Sequence, residues 1–218
     1  GGYHKYDVFE HTLHVIDAGP MNLRVRMAAL FHDINKPQHK RVTDTGASFY
    51  GHESAGARTA KQVLRRLRYS NEFIKDVVTL VDRHMFTTAV TDKGMRRLIR
   101  RVGQELIFDL LDLRRADVTG QGMGGTTDDV DEFEQHIRAE LERKPPFGLK
   151  DLAVDGRDII REFSIPPSPE VGRILDYLLE QVLDNPGYNT REKLIDLARQ
   201  YYETTTDEND SETDEGTN

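Results

Sequence analysis

Helical periodicity constrains this chain more than any other feature. Val8, Phe9, Leu13, Val15 and Ile16 recur along one helix face and stop at Gly19-Pro20; Leu23, Met27, Leu30, Phe31 and Ile34 repeat the pattern until Pro37 forces an end. After a polar connection over 38–51, the next helix is expected from about Glu53 to Arg68. Ser70 has the chemistry of an N-cap for a helix striped by Phe73, Val77, Leu80 and Val81. Residues 95–117, with Leu106, Leu110 and Leu113 in register, hold one or two helices, and a charged helix runs from Asp128 to Arg143. Three more are expected at about 149–163, 169–183 and 190–202. No strand pattern or internal repeat interrupts the series, so the fold class is all-α.

Composition removes several function classes. No apolar run approaches the ~20 residues of a membrane helix, and the absence of cysteine excludes disulfide and thiolate chemistry. No targeting segment is visible, so a cytoplasmic home is expected. The chain opens Gly1-Gly2 without methionine, which reads either as a cloning scar or as an internal start, the latter implying a longer natural protein at this end. The formal charge of -8 misleads, because seven of the 38 acids sit in residues 203–218 with no base among them. The remaining 31 acids face 30 bases. That tail reads as disordered and solvating, behind a core at 1–126 and a helical extension at 127–202. Basic clusters at Arg65, Arg66 and Arg68, at Arg96, Arg97, Arg100 and Arg101, and at Arg114 and Arg115 read first as solvated helix faces, with a phosphate track as the alternative. The "GQGMGG" of 120–125 lacks the strand and Lys-Ser or Lys-Thr of a phosphate loop and reads as a flexible linker.

Chemistry enters with the histidines. His11 borders the first apolar arc, His32 and Asp33 stand side by side at the end of the second, His52 opens a helix, and His84 and Asp117 continue the stripes of theirs. Six polar groups at core-facing or helix-end positions converge on one bundle interior. Burying an unpaired carboxylate costs several kcal/mol unless it is paired or binds a metal. Arginines could satisfy Asp33 or Asp117 singly but would leave the histidines unexplained, whereas one or two cations account for all six. Imidazole and carboxylate donors suit Mn, Fe, Ni, Co or Zn, with Mg also compatible.

The motifs "YDVFEHTLHVID", "AALFHDINKP", "FYGHESAGA", "LVDRHM" and "RRADV" resemble the HD superfamily of metal-dependent phosphohydrolases, and in particular the HD domain of bacterial tRNA nucleotidyltransferase and poly(A) polymerase relatives. "LKDLAVDGRDII" at 149–160 and the stretch 171–198 are similar to the segment that trails that domain. The resemblance implies that His11, His32, Asp33 and Asp117 hold one metal, that His52 and His84 add a second, and that Asp33 bridges. The usual "HDIGKP" reads "HDINKP" here, with Asn35 in the glycine's place. The nucleotidyltransferase head has no counterpart in these residues, so nucleotide addition is not expected of them.

The implied reaction is metal-dependent hydrolysis of a phosphate ester on a nucleotide or RNA end, by a hydroxide that the metal makes available near neutral pH. The relatives suggest 2′,3′-cyclic phosphates and 2′-phosphates as substrates. Lys36 is the first candidate for a phosphate contact, followed by Arg83 and Arg115; Glu53 is a candidate proton carrier or an orienter of His52. His14 borders the pocket, and His39 and His136 stay outside the metal set. Three alternatives share these residues: a free (deoxy)nucleotide phosphohydrolase, an HD-type di-iron oxygenase, and a non-catalytic module that binds a tRNA-like RNA.

Overall fold

The early helices begin where a side chain takes up a free N–H of the first turn. Asp7 accepts from the Glu10 amide at 2.8 Å and opens α1 (Val8–Ala18). Asn22 does the same for α2 (Leu23–Phe31) through the Arg24 amide at 3.0 Å. A short antiparallel hairpin follows, β1 (Arg41–Thr43) with β2 (Gly46–Ser48), Val42 standing opposite Ala47. Then come α3 (His52–Arg66), α4 (Asn71–Arg83, capped by Ser70 as expected), α5 (Asp92–Val102), α6 (Leu106–Gly120), α7 (Asp128–Glu142), α8 (Gly156–Phe163), α9 (Pro169–Asp184) and α10 (Arg191–Asp214). The computed structural model describes residues 6–43 and 46–214. Among them the all-α class holds, and no helix is long and apolar enough to cross a membrane.

Three local departures from the sequence expectation have physical causes. The hairpin lies inside the polar connection, where Val42 is exposed and backbone pairing rather than apolar alternation makes the strands. The single helix expected over 149–163 is a 3₁₀ turn at Leu149–Asp151 followed by α8, because Asp155 starts a new helix. Its carboxylate accepts from the Arg157 and Asp158 amides at 2.8 and 3.1 Å, while Asp158 returns a bond to the Asp155 amide at 3.1 Å. Helical backbone also continues through 203–214, where an irregular acidic tail is expected; extending a formed helix adds one hydrogen bond per residue fixed. Residues 215–218 of that tail lie outside the described residues.

The described chain divides into two compact units, one running to Val90 and including Arg101–Ala139, the other formed by Thr91–Arg100 with Glu140 onward. This differs from a boundary at 126/127, since most of α7 belongs with the first unit and most of α5 with the second. In the first unit α2 is central, packed against α1, α3, α4 and α6. The apolar stripes named from the sequence turn inward only in part: Val15 and Phe31 are buried, and Val8, Ile16 and Met27 half-buried. Phe9, Leu13, Leu23, Leu30 and Ile34 are exposed, whereas His11, Thr12 and Val15 of α1 and Val25, Ala28, Ala29 and Phe31 of α2 are buried. Small residues let the helices approach, and close approach decides which face turns inward.

The second unit has its own core of Ile159, Ile174, Leu178, Val182, Leu194 and Ala198. Arg96 of α5 is buried there: its Nη1 donates to Glu140 Oε1 at 2.9 Å, and its Nε and Nη2 to the Leu183 and Asp184 carbonyls at 2.7 and 3.3 Å. It thereby satisfies carbonyls that the end of α9 leaves open.

Candidate metal centre

Four helix ends and one helix face bring the six polar residues together. His11 comes from the middle of α1; His32 and Asp33 follow the last turn of α2; His52 is the first residue of α3; His84 caps the end of α4; Asp117 lies in the last turn of α6. Two glycines permit the approach. A Cβ on Gly120 would stand 2.6 Å from Val15 Cγ2 and 2.8 Å from the Val15 amide nitrogen, so only glycine lets α6 lie this close to α1, where His11 faces Asp117. A Cβ on Gly56 would meet the Phe31 carbonyl oxygen at 3.0 Å, and its absence seats α3 against the turn that carries His32 and Asp33. Gly120 is therefore a buried packing residue at the end of α6, not the start of a loose linker.

The histidines are oriented by backbone carbonyls. Nδ1 of His32, His52 and His84 each lies 2.7 Å from the carbonyl three residues earlier, of Ala29, Phe49 and Val81, and His11 Nδ1 lies 3.3 Å from the Gly120 carbonyl. A carbonyl only accepts, so each Nδ1 carries a proton, and Nε2 is the ring atom left to donate to a carboxylate when protonated or to bind a cation when not. Those Nε2 atoms face inward in pairs, His11 with His32 at 3.4 Å and His52 with His84 at 3.3 Å. Two lone pairs at that separation repel unless a proton or a cation lies between them.

Asp33 divides its carboxylate between the pairs. Oδ2 is 3.8 Å from His11 Nε2 and 3.5 Å from His32 Nε2; Oδ1 is 3.3 Å from His52 Nε2 and 3.9 Å from His84 Nε2. Asp117 Oδ1 joins the first pair, 3.0 Å from His11 Nε2 and 3.8 Å from His32 Nε2. Two groups of three donors result, His11–His32–Asp117 and Asp33–His52–His84, each with its atoms within 4.8 Å of one another. His11, His32, Asp33, His52 and His84 are between 1 and 5 % exposed, so bulk water does not solvate them. This donor set and spacing can hold divalent metal.

The electrostatics match a site awaiting positive charge. Burial raises the Asp33 carboxyl, but the His52 hydrogen bond and the His32 and Lys36 charges outweigh it and hold the group well below the usual carboxylate range. Asp117 is likewise raised by burial and lowered further by the His11 hydrogen bond and the His32 ring. For His11 and His52 burial works downward, yet the hydrogen bonds to Asp117 and Asp33 and the nearby charges leave both raised. His84 goes the other way, pushed down to about 4 by burial and then by His32.

Of the outer candidates, two reach the cluster. Lys36 Nζ is 2.8 Å from Asp33 Oδ2 and 5.5 Å from the centre of the Phe49 ring. Glu53 Oε2 is 3.3 Å from His52 Nδ1. Arg83 instead pairs with Asp82 at 3.2 Å and lines a different cavity, and Arg115 is held by Asp112, Asp131 and Glu134. Arg114 is the basic residue that α6 places beside the cluster, with Nη1 3.8 Å from Asp117 Oδ2 and its guanidinium over Phe86. The signal was available: residue 114 precedes Asp117 by three and shares its face, whereas 115 does not. His14 is exposed and its ring lies 4.2 Å from that of Tyr6. Asn35, in place of a glycine, keeps a negative φ and ties the turn down, donating to Gln38 Oε1 at 2.8 Å and accepting from Thr59 Oγ1 at 2.9 Å.

A cavity of about 70 Å³ bounded by Tyr6, Val8, His11, Asp33, Lys36 and Phe49 adjoins one of about 590 Å³ lined by Lys36, Ser48, Phe49, Tyr50, His52, Glu53 and Met85. The larger is within the range that holds a nucleotide-sized ligand.

The family model for tRNA nucleotidyltransferase domain 2 matches residues 49–198, a span that contains His52, His84 and Asp117. The A-adding tRNA nucleotidyltransferase of Deinococcus radiodurans is 33 % identical over 192 residues, which cover 83 % of this chain and 43 % of that enzyme. The CC-adding tRNA nucleotidyltransferase of Thermus thermophilus is 33 % identical over 189 residues, 83 % of this chain and 42 % of that enzyme. The chain thus spans less than half the length of these curated relatives. No solved structure matches.

Proposed function

The chain belongs to the tRNA nucleotidyltransferase family, through its domain 2, and on that premise we propose that it is an HD-type metal-dependent phosphohydrolase acting on an RNA-end or nucleotide phosphate ester. The observation that carries the reading is Asp33, whose two carboxylate oxygens face two separate histidine pairs. His11, His32 and Asp117 would hold one divalent ion, and Asp33, His52 and His84 a second; the mixed imidazole and carboxylate set suits Mn, Fe, Ni, Co or Zn. Bound ions supply charge neutralisation at phosphoryl oxygens and a nucleophile at neutral pH.

The chain's own groups do the positioning. Lys36 carries three N–H donors at the mouth shared by both cavities and turns from Asp33 to a phosphoryl oxygen of the substrate. Arg114 is the second cation within reach of developing negative charge. Glu53, 3.3 Å from the His52 Nδ1 whose proton the Phe49 carbonyl accepts, adds a negative charge behind the ring that keeps its Nε2 basic. Phe49 and Tyr50 give the larger cavity an aromatic wall against which a nucleobase stacks, and Phe49 with Val8 keeps bulk water from the carboxylates.

Hydrolysis of 2′,3′-cyclic AMP, compared with 2′-, 3′- and 5′-AMP in Mn or Ni, tests this directly. Metal-dependent turnover that Asp33→Ala abolishes, with the cyclic or 2′ ester preferred, is the expected result. Cleavage of 5′-nucleotides alone would assign nucleotide disposal, and no turnover with any metal would overturn the hydrolase.

A further inference from the structure

A third cavity, of about 360 Å³, lies between α3 and α4 and takes no part in the metal centre. Its basic lining is Arg58 and Lys61 from α3, Arg83 from α4 and Arg101, against one acid, Asp82. Asp82 is already engaged, accepting from Ser54 Oγ at 3.1 Å and pairing with Arg83 at 3.2 Å. Among the described residues Arg58, Lys61 and Arg101 have no ion-pair partner, and all three are exposed. The contrast within α5 is informative: Arg96, Arg97 and Arg100 are taken up by Glu140, Glu180 and Asp184, and Arg101 alone is left for this groove.

The stripe continues beyond the cavity. Arg65 follows Arg58 by seven residues on the same helix face, so the unpaired positive charges of α3 extend over roughly 10 Å at 1.5 Å per residue. That length corresponds to about three base steps of a nucleic acid strand at ~3.4 Å each. A single free phosphate needs one or two cations, not a row. Concave shape, a run of unpaired cations and no free acid are complementary to a polyphosphate backbone.

We propose that the α3–α4 groove is a docking site for the phosphate backbone of RNA, holding a structured substrate while its end is presented elsewhere in the same unit. The surface stands on its own residues; its occupant being RNA rests on the RNA-end reading above.

The test is fluorescence anisotropy with a labelled tRNA acceptor-stem hairpin, in EDTA so that the metal centre plays no part. The protein with Arg58→Gln, Lys61→Gln and Arg101→Gln is compared with wild type and with a control carrying Arg143→Gln, Arg173→Gln and Arg199→Gln, which removes equal charge from ion-paired positions. Three lost phosphate contacts lower the salt slope by about 2–3, so the wild-type advantage in affinity shrinks roughly 20- to 40-fold between ~50 and ~200 mM salt. The control keeps the wild-type slope. Equal affinity and slope in groove variant and wild type would overturn the proposal. So would polyglutamate competing as well as RNA, which would assign an acidic protein, or inorganic phosphate displacing the hairpin completely at millimolar concentration, which would assign a free anion. Turnover of 2′,3′-cyclic AMP is read in parallel on the same proteins: its absence in wild type counts against the hydrolase, while the anisotropy still decides the groove.

Discussion

Replacing Gly120 with alanine is the sharpest structural perturbation this fold offers, because the two effects of the change have opposite signs. In an open helix Gly→Ala stabilises, by up to about 1 kcal/mol. Here the new methyl would sit 2.6 Å from Val15 Cγ2, 2.8 Å from the Val15 nitrogen and 3.0 Å from its Cα. Carbon contacts settle near ~3.5–4.0 Å, and two of the three atoms are backbone, so α1 and α6 must part by on the order of 1 Å. Overpacking of this kind costs about 1–3 kcal/mol, which leaves a net loss of up to roughly 2 kcal/mol after a propensity gain of about 1 kcal/mol. For a chain of this size that is a fall in melting temperature of up to about 8 °C. The same displacement separates His11 from Asp117, now 3.0 Å apart, and metal affinity should fall on the order of tenfold or more. Thermal melts in EDTA and calorimetric titration with Mn or Ni read both effects. A variant that melts above wild type and binds metal equally well would refute the packing argument.

Three other perturbations have defined outcomes. In metal-free protein the His84 ring, which faces His32, Asp33 and His52, resists protonation until about pH 4, whereas the unfolded chain takes up that proton near 6.5. Between those values the unfolded state binds more protons, so stability drops as the pH is lowered from 6.5 to 4, by up to roughly 3 kcal/mol; His11 and His52, whose values are raised, oppose this with stability present below 6.5 and lost as pH rises through their folded values. Urea melts at several pH values should show a steeper acid-side loss in wild type than in His84→Asn, and parallel curves would contradict the assignment. Arg96→Met leaves the buried Glu140 carboxylate with Arg143 as its remaining partner and opens the Leu183 and Asp184 carbonyls, and should destabilise by about 2–4 kcal/mol; a loss below ~1 kcal/mol in urea would show the pair to be unimportant. Glu53→Gln should leave the melting temperature of metal-free protein near wild type and weaken metal binding about 10-fold through His52, and unchanged affinity would remove Glu53 from the site.

The six donors were legible because helical spacing and residue type carry the information: a His-Asp pair at the end of an apolar run, and His84 and Asp117 in register with their stripes, have few other uses. Ser70 was legible for the same reason, a cap being a local chemical fact. The buried faces of α1 and α2 were legible only in part, since the sequence offers Phe9, Leu13 and Leu30 as core while the packing uses Thr12, Ala28, Ala29 and Gly120. Hydrophobicity marks what gains by burial; it does not mark where two backbones must come close, which small residues decide. Arg96 reads as one of four surface arginines because its acid and carbonyl partners lie 44 to 88 residues away. Arg114 and Arg115 differ only in helical phase, and an error of one residue moves a cation from the cluster to an ion-pair network on the surface.

Metal content decides the central claim. Purified protein loaded with Mn or Ni, desalted and measured by plasma mass spectrometry should carry up to two ions per chain. Asp33→Ala, folded by circular dichroism, should lose at least one, because Asp33 is the only carboxylate of the Asp33–His52–His84 group and also faces the His11–His32 pair. Wild-type protein that retains no divalent ion, or Asp33→Ala protein that retains as much as wild type, would contradict the account.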